Sequence, residues 1–483
     1  MNIDEYAALD ATALAAVIAS GEVTAGEVAA LATEAITTVN KELNAVAEGP
    51  FDRPLDHAAD GRFAGVPFAI KDLVLHAAGV PTRMGTRLLG KDGYVPAADT
   101  HLMERFRAAG LATLAVTTTP ELGFNGNSEA LAYGSTRNPW NTAHSAGGSS
   151  GGSAALVAAG ALPVAHANDG GGSIRVPAAC NGLVGLKPSR GRVPSGPDFG
   201  DALYGMGVEL AVSRTVRDTA ALLDEVAVGY PGDPVVIAPP ARPFLQEVGA
   251  DTGRLRIAVH TESWAGSHVD PEVAQAVEAA ARALEAAGHH VDRATPVVDW
   301  ERLLTSNIAL WSAFLAEGVA GIEAMTGATA GPENLERTTL ACVEYGRGLS
   351  ALELNGALAS MNAVSREVGR FFTGYDLLLT PTMNTPAPLL GHLDGNADLG
   401  ALEWAQRIFG VCSFTPLFNQ TGTPAVSLPL AQSSQGLPIG VQLAGPFGSE
   451  ALLLRVSALL ESAMPWADRR PAVHAATLMS RDA

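Results

Sequence analysis

Gly147-Gly148-Ser149-Ser150-Gly151-Gly152-Ser153 and then Asn168-Asp169-Gly170-Gly171-Gly172-Ser173-Ile174-Arg175: these two glycine-flanked serine loops decide how the 483-residue chain is read. The short apolar stretch between them has room for about one helix and one strand, which would bring two hydroxyls close together. The glycines leave backbone N–H groups that no side chain screens, a setting that suits an anion or a developing oxyanion. The outline is that of a hydrolase site.

A scarce residue sharpens it. Of 31 basic residues only four are lysine, at positions 41, 71, 91 and 187, so a lysine in this chain needs a reason. Lys71 ends the apolar run Gly65-Val66-Pro67-Phe68-Ala69-Ile70, which places its amine at the end of a buried strand. Arginine stays protonated, whereas a desolvated lysine can lose its proton and act as a base. A serine hydroxyl needs such a base to become a nucleophile, so Lys71, Ser149 and Ser173 form a candidate relay. The plainer alternative is that Lys71 pairs with a buried carboxylate such as Asp72.

Composition narrows the function classes. The chain is 47% hydrophobic and 17% charged, which describes a globular protein with a large core. A net charge of −19 with no Lys/Arg run argues against nucleic acid and against an anionic membrane surface. Cys180, Cys342 and Cys412 lie far apart, which fits a reducing compartment and excludes a cysteine zinc site. The acidic start and the lack of about eighteen consecutive apolar residues lead to the expectation of a soluble cytoplasmic protein. No His-Glu-x-x-His and no Walker loop is present, so neither metal nor cofactor is expected.

Helix and strand patterns alternate along the chain. Thr24 to Glu27 is a capping box opening a helix to about Val39, and Asp270-Pro271 opens another that Gly288 closes. Strands are expected at 66–70, 111–116, 162–165, 255–260, 376–380, 425–430 and 439–444, with another beginning at His289-His290. This order predicts an α/β fold in which helices cover both faces of a sheet. Residues 299–372 read as a mostly helical lobe over one end of that sheet, carrying Trp300, Trp311 and Phe314.

From Gly147 to Val193 the chain resembles the signature segment of the amidase signature family. Further similarity runs through Gly65 to Asp72, Thr136 to Asn141, Ser213 to Asp218 and Gly422 to Ala425, so it spans nearly the whole chain. Tyr133 to Asp169 and the ending Met464 to Pro471 look most like the bacterial branch of cyclic-dimer hydrolases and broad amidases. The resemblance implies one domain, residues 1–483, built on a twisted mixed sheet. It implies Ser173 as nucleophile, Ser149 as bridging serine on a cis peptide, and Lys71 as base. It gives the N–H groups of Gly170, Gly171, Gly172 and Ser173 to an oxyanion hole, makes Asp169 and Arg175 its braces, and leaves Ser150 and Ser153 structural. The expected activity is hydrolysis of apolar, aryl or cyclic amides through an acyl-serine, with esters and urethanes as side activities and no cofactor. The only partner expected is the small-molecule amide, with a homodimer left open.

Two departures stand out. Val116-Thr117-Thr118-Thr119 replaces the usual Lys-Thr-Asn before Pro120-Glu121, and Asn168-Asp169-Gly170 replaces Thr-Asp-Thr/Ile before the last glycines. The second would loosen the oxyanion loop or widen the pocket. Pocket candidates are Leu122, Phe124, Asn125, Trp311, Phe314, Cys412, Phe414 and Phe418, in segments where relatives differ by substrate.

Three rival readings remain at this stage. Gly147 to Gly151 also satisfies Gly-x-Ser-x-Gly, which would make Ser149 the nucleophile of an α/β-hydrolase esterase if a strand ran directly into it. An amidase-like subunit of a tRNA-dependent amidotransferase is the second, and a non-catalytic binding protein on the same scaffold is the third.

Overall fold

Local signals place the helices where capping chemistry directs. Thr24 accepts the Glu27 N–H while the Glu27 carboxylate accepts the Thr24 N–H, opening a helix over Ala25–Leu43. Asp270 caps Pro271–Ala286 by accepting the Glu272 N–H at 2.8 Å, with proline in the first turn. Strands buried at every residue include Pro67–Lys71 and Ala112–Thr117, and also Val164–Asp169, which carries His166, Asn168 and Asp169 into the interior. Such strands belong in a sheet covered on both faces.

The computed structural model describes residues 1–482. Its main sheet has eight strands, in spatial order His290–Arg293, Arg256–Val259, Leu377–Pro381, Pro438–Ala444, Ala425–Gln432, Val184–Lys187, Val208–Ser213 and Val164–Asp169. The first three run parallel and the remaining pairings are antiparallel, so the sheet is mixed. Helices flank it, including Gly151–Ala158, Val216–Val226, Pro271–Ala286 and Glu450–Ala463. A smaller sheet pairs Ala112–Thr117 antiparallel to Val46–Glu48 and parallel to Pro67–Lys71. It lies beside the last strand of the main sheet, joined there by the Lys71 N–H, which donates to His166 Nδ1 at 3.1 Å. The architecture is the mixed, helix-covered α/β fold expected.

The strands at 184–187 and 208–213 are additions to the sequence reading, and both lie between expected strands in the sheet. Residues 299–372 contain the helices Trp300–Thr326, Arg337–Gly348 and Ala351–Phe371, which share an apolar core separate from that of the sheet. Trp300–Thr326 is long and apolar enough to cross a membrane by length and composition, yet half of its most apolar window is buried within the fold. Its apolar character follows from sitting at the centre of that helical core.

Candidate active site

Lys71 ends its strand with its side chain fully buried. Its Nζ lies 2.6 Å from Ser149 Oγ and 2.5 Å from Asn168 Oδ1. Asp72, the alternative partner, is engaged elsewhere: its carboxylate accepts from Thr82 Oγ1 at 2.7 Å, from the Arg83 N–H at 2.9 Å and from the Tyr133 hydroxyl. Burial pushes the Lys71 amine down to about 7, and the charges of Glu209 and Asp169 offset only part of that shift. At neutral pH a large share of this lysine therefore carries no proton.

Three residues around the amine come from the strands beside it. Asn168 accepts from Lys71 and donates its amide to the Leu73 carbonyl at 2.9 Å, which fixes the amide's orientation. His166 Nδ1 accepts the Lys71 backbone N–H, so the ring proton sits on Nε2 and is donated to Glu209 Oε2 at 2.6 Å. Asn168 is one of the two departures, His166 is two residues away, and Glu209 lies on a strand the sequence reading missed. The available signal for Glu209 was a single carboxylate inside the apolar run Val208 to Val212.

Ser149 sits just before the helix Gly151–Ala158, and the Gly148–Ser149 peptide bond is cis. A Cβ on Gly148 would stand 2.0 Å from the Asn127 carbonyl oxygen, so no other residue fits there. The chain enters Ser149 from an irregular loop after Gly134–Ser135, which lacks the strand that a Gly-x-Ser-x-Gly nucleophile elbow requires. Ser150 Oγ donates to the Asn168 carbonyl and Ser153 Oγ to the His166 carbonyl, so both hydroxyls are occupied by backbone.

The loop after Asp169 carries Ser173 to the start of the helix Arg175–Asn181. Asp169 and Arg175 are fully buried and joined by two bonds of 2.9 Å. Arg175 also reaches Thr415 O, Gln442 Oε1 and Asn419 Oδ1, tying the loop to the neighbouring elements. The guanidinium holds the Asp169 carboxyl well below the usual carboxylate range despite its burial. Asp169 also accepts the N–H groups of Gly172 at 2.7 Å and Ile174 at 3.1 Å. The Gly172 N–H is thus committed to a carboxylate and unavailable to an oxyanion, which corrects that part of the four-donor expectation. Among the described residues the N–H groups of Gly170, Gly171 and Ser173 have no protein acceptor.

Ser149 and Ser173 line one small chamber of about 50 Å³, together with Asn168, Gly170, Trp311 and Phe314. A second, of about 20 Å³, lies against Ser173, Gly171 and Gly172 and is walled by Phe124, Asn125, Trp311 and Cys412. Leu122 lines the first chamber, so six of the eight pocket candidates are brought to the serines. Phe414 and Phe418 are not. Both are fully buried and pack against Trp264, at 5.6 and 6.3 Å between ring centroids, because their segment covers the sheet rather than the cavity. Gly170 does not widen the pocket either: a Cβ there would meet Trp311 at 2.7 Å and Leu203 at 2.8 Å, so those side chains occupy the vacated space. Trp311 stacks on Phe124 at 4.6 Å and its buried Nε1 has no hydrogen-bond partner. Among the described residues no cluster of three or more His, Cys, Asp or Glu could hold a metal ion.

Comparison with known proteins shows the family of the chain. The family model described as Amidase matches residues 27–454, and the chain belongs to that family. It is 38% identical over 474 residues to a 6-aminohexanoate-cyclic-dimer hydrolase of Paenarthrobacter ureafaciens, with 96% of each chain covered. It is 40% identical over 470 residues to a putative amidase, AmiC, of Mycobacterium tuberculosis, again with 96% of each covered. A solved structure of 6-aminohexanoate cyclic dimer hydrolase superposes with a TM-score of 0.90 at 36% identity, covering 97% of this chain and 99% of that one. The protein is an amidase, a hydrolase of carboxylic C–N bonds.

Proposed function

We propose that this amidase works through an acyl-Ser173 intermediate, with Ser149 as proton carrier and Lys71 as base. The observation that carries the reading is the buried Lys71 amine, pushed down to about 7, lying 2.6 Å from a serine that shares a chamber with Ser173. Neutral Lys71 takes the Ser149 proton as Ser149 takes that of Ser173, whose oxygen attacks the amide carbon. The oxyanion is received by the N–H groups of Gly170, Gly171 and Ser173, held in place by the Asp169–Arg175 pair. Ser149 then returns the proton to the leaving nitrogen, the C–N bond breaks, and water activated by the same relay releases the acid.

Apolar, aryl or cyclic amides are the preferred substrates in this reading. Support comes from the apolar walls at Phe124, Trp311 and Phe314, and from the likeness to proteins named for a cyclic amide. The lobe at 299–372, which supplies Trp311 and Phe314, covers the chambers as part of a single domain. The test is a fluorophosphonate probe with peptide mapping. Label on Ser173, lost in Ser173→Ala together with anilide turnover, is the expected result. Label on Ser149 would overturn the relay.

A further inference from the structure

Beside the chambers at the serines lies a much larger cavity, of about 280 Å³. It shares Leu73, Val74, Leu122 and Phe314 with the chamber that holds both Ser149 and Ser173. The narrow chamber of about 20 Å³ touches Ser173 and Gly148 and shares no lining residue with the large cavity. A substrate seated on Ser173 therefore meets two separate and unequal spaces.

Backbone conformation marks the same region. Six non-glycine residues have positive φ, and one, Asn44, ends a helix in the usual left-handed cap. Val74, Met84 and Leu122, at +66°, +51° and +48°, all line the large cavity, and Leu203, at +54°, lines the chamber joining it. A β-branched residue such as Val74 is an outlier at positive φ, and such conformations concentrate where side chains must be aimed at a ligand. The cavity has one charged end. Asp198 Oδ2 lies 3.4 Å from His76 Nε2, and the Asp198 side chain is 46% exposed. Phe199, next to it, faces Phe314 across 5.6 Å.

We propose that this cavity is the leaving-group subsite, and that it takes amines with an apolar, aryl-sized body and a cationic nitrogen at the far end, received by Asp198. The assignment of sides rests on the acyl-Ser173 reading: the proton that frees the amine comes from Ser149, so the nitrogen departs on the side of the chamber containing Ser149. With a linear amide the acyl group is left in the narrow chamber and is accordingly short. Collapse of the tetrahedral adduct breaks the C–N bond while the Ser149 proton passes to nitrogen. The product of a linear amide entering the cavity is the free amine, and its distal ammonium is unchanged by the reaction.

Four substrates separate the possibilities: acetamide, hexanamide, 4-ethylacetanilide and 4-(aminomethyl)acetanilide. The last two are nearly isosteric and differ in the distal charge. The expected order places both anilides above hexanamide in kcat/KM, with the aminomethyl compound favoured over the ethyl one by about fivefold through KM, the scale of a partly exposed ion pair. Asp198→Asn should bring that ratio close to one, whereas an unchanged ratio overturns the distal pairing. Ile322→Trp, which fills the cavity, should lower kcat/KM for the anilides at least about tenfold more than for acetamide. If it instead depresses hexanamide and spares the anilides, the cavity holds the acyl chain and the proposal is wrong. Fluorophosphonate labelling of Ser173 in each variant reports folding and the parent mechanism separately. Label on another serine would sink the mechanism, while label on Ser173 with unaltered selectivity would sink the subsite alone.

Discussion

Lys71 and Lys187 share strand position and burial, yet only one lies against a serine that opens onto a cavity. Both end strands, both are fully buried, and burial pushes both down to about 7. Their neighbours differ. Lys71 Nζ contacts a hydroxyl and an amide oxygen, and that hydroxyl opens onto a cavity. Lys187 Nζ donates to the Pro188 carbonyl at 2.8 Å, and the nearby Arg175 guanidinium also opposes its charge. Desolvation makes an amine able to lose its proton, but only an adjacent group with a proton to pass on makes it a base. The pair forms an internal control for the proposed mechanism.

The largest expected effect breaks the comparison from the Lys71 side. Lys71→Arg should lose about 10³-fold in kcat/KM and fall near Lys71→Ala, because a guanidinium keeps the charge but cannot accept a proton. Steady-state kinetics on a neutral anilide decides it. An arginine variant that retains a tenth or more of the rate would mean that position 71 contributes charge alone.

A smaller and more diagnostic effect concerns pH. Activity of the native enzyme should rise with pH through an apparent midpoint near the Lys71 value of about 7, since only the neutral amine can take the Ser149 proton. Asn168→Asp would set a carboxylate against Nζ in place of an amide oxygen. An opposite charge at that distance favours the protonated amine by about 1–3 pKa units. The midpoint of kcat/KM should therefore move upward by about that much, with the plateau at high pH largely recovered. A lowered rate with an unmoved midpoint would assign Asn168 a packing role.

Legibility from sequence followed the same division between groups and their surroundings. The serine loops and Lys71 stood out because glycine runs are costly without a purpose and lysine is rare in this chain. His166 and Glu209 did not, because Glu209 reaches His166 across a strand pairing and no local motif records such a contact. Phe414 and Phe418 were misplaced for a related reason: an aromatic side chain carries the same signature whether it faces a cavity or a core. The large cavity was invisible, since its walls depend on Val74, Met84 and Leu122 adopting a conformation that their residue types normally avoid. Most of the fold was legible, and the strands missed at 184–187 and 208–213 are short runs beside glycines.

The smallest effect on activity is expected at Lys187, and there the readout moves to stability. Between the folded value of about 7 and the ordinary lysine value of 10.5, the unfolded chain binds a proton that the folded chain does not. Stability contributed by this group therefore rises with pH across that window, and the burial cost is greatest below it, where the folded state must hold a charged amine. Lys187→Met removes the titration but also the bond to the Pro188 carbonyl, a loss of about 1 kcal/mol. Denaturant unfolding at pH 6.5 and pH 9.5, chosen as roughly spanning that window, should show a smaller gain in stability with pH than the native protein by a few kcal/mol. The activity midpoint should stay in place, because Lys187 is not among the groups that shift Lys71. A midpoint that moved with Lys187→Met would couple the two amines and remove the contrast between them.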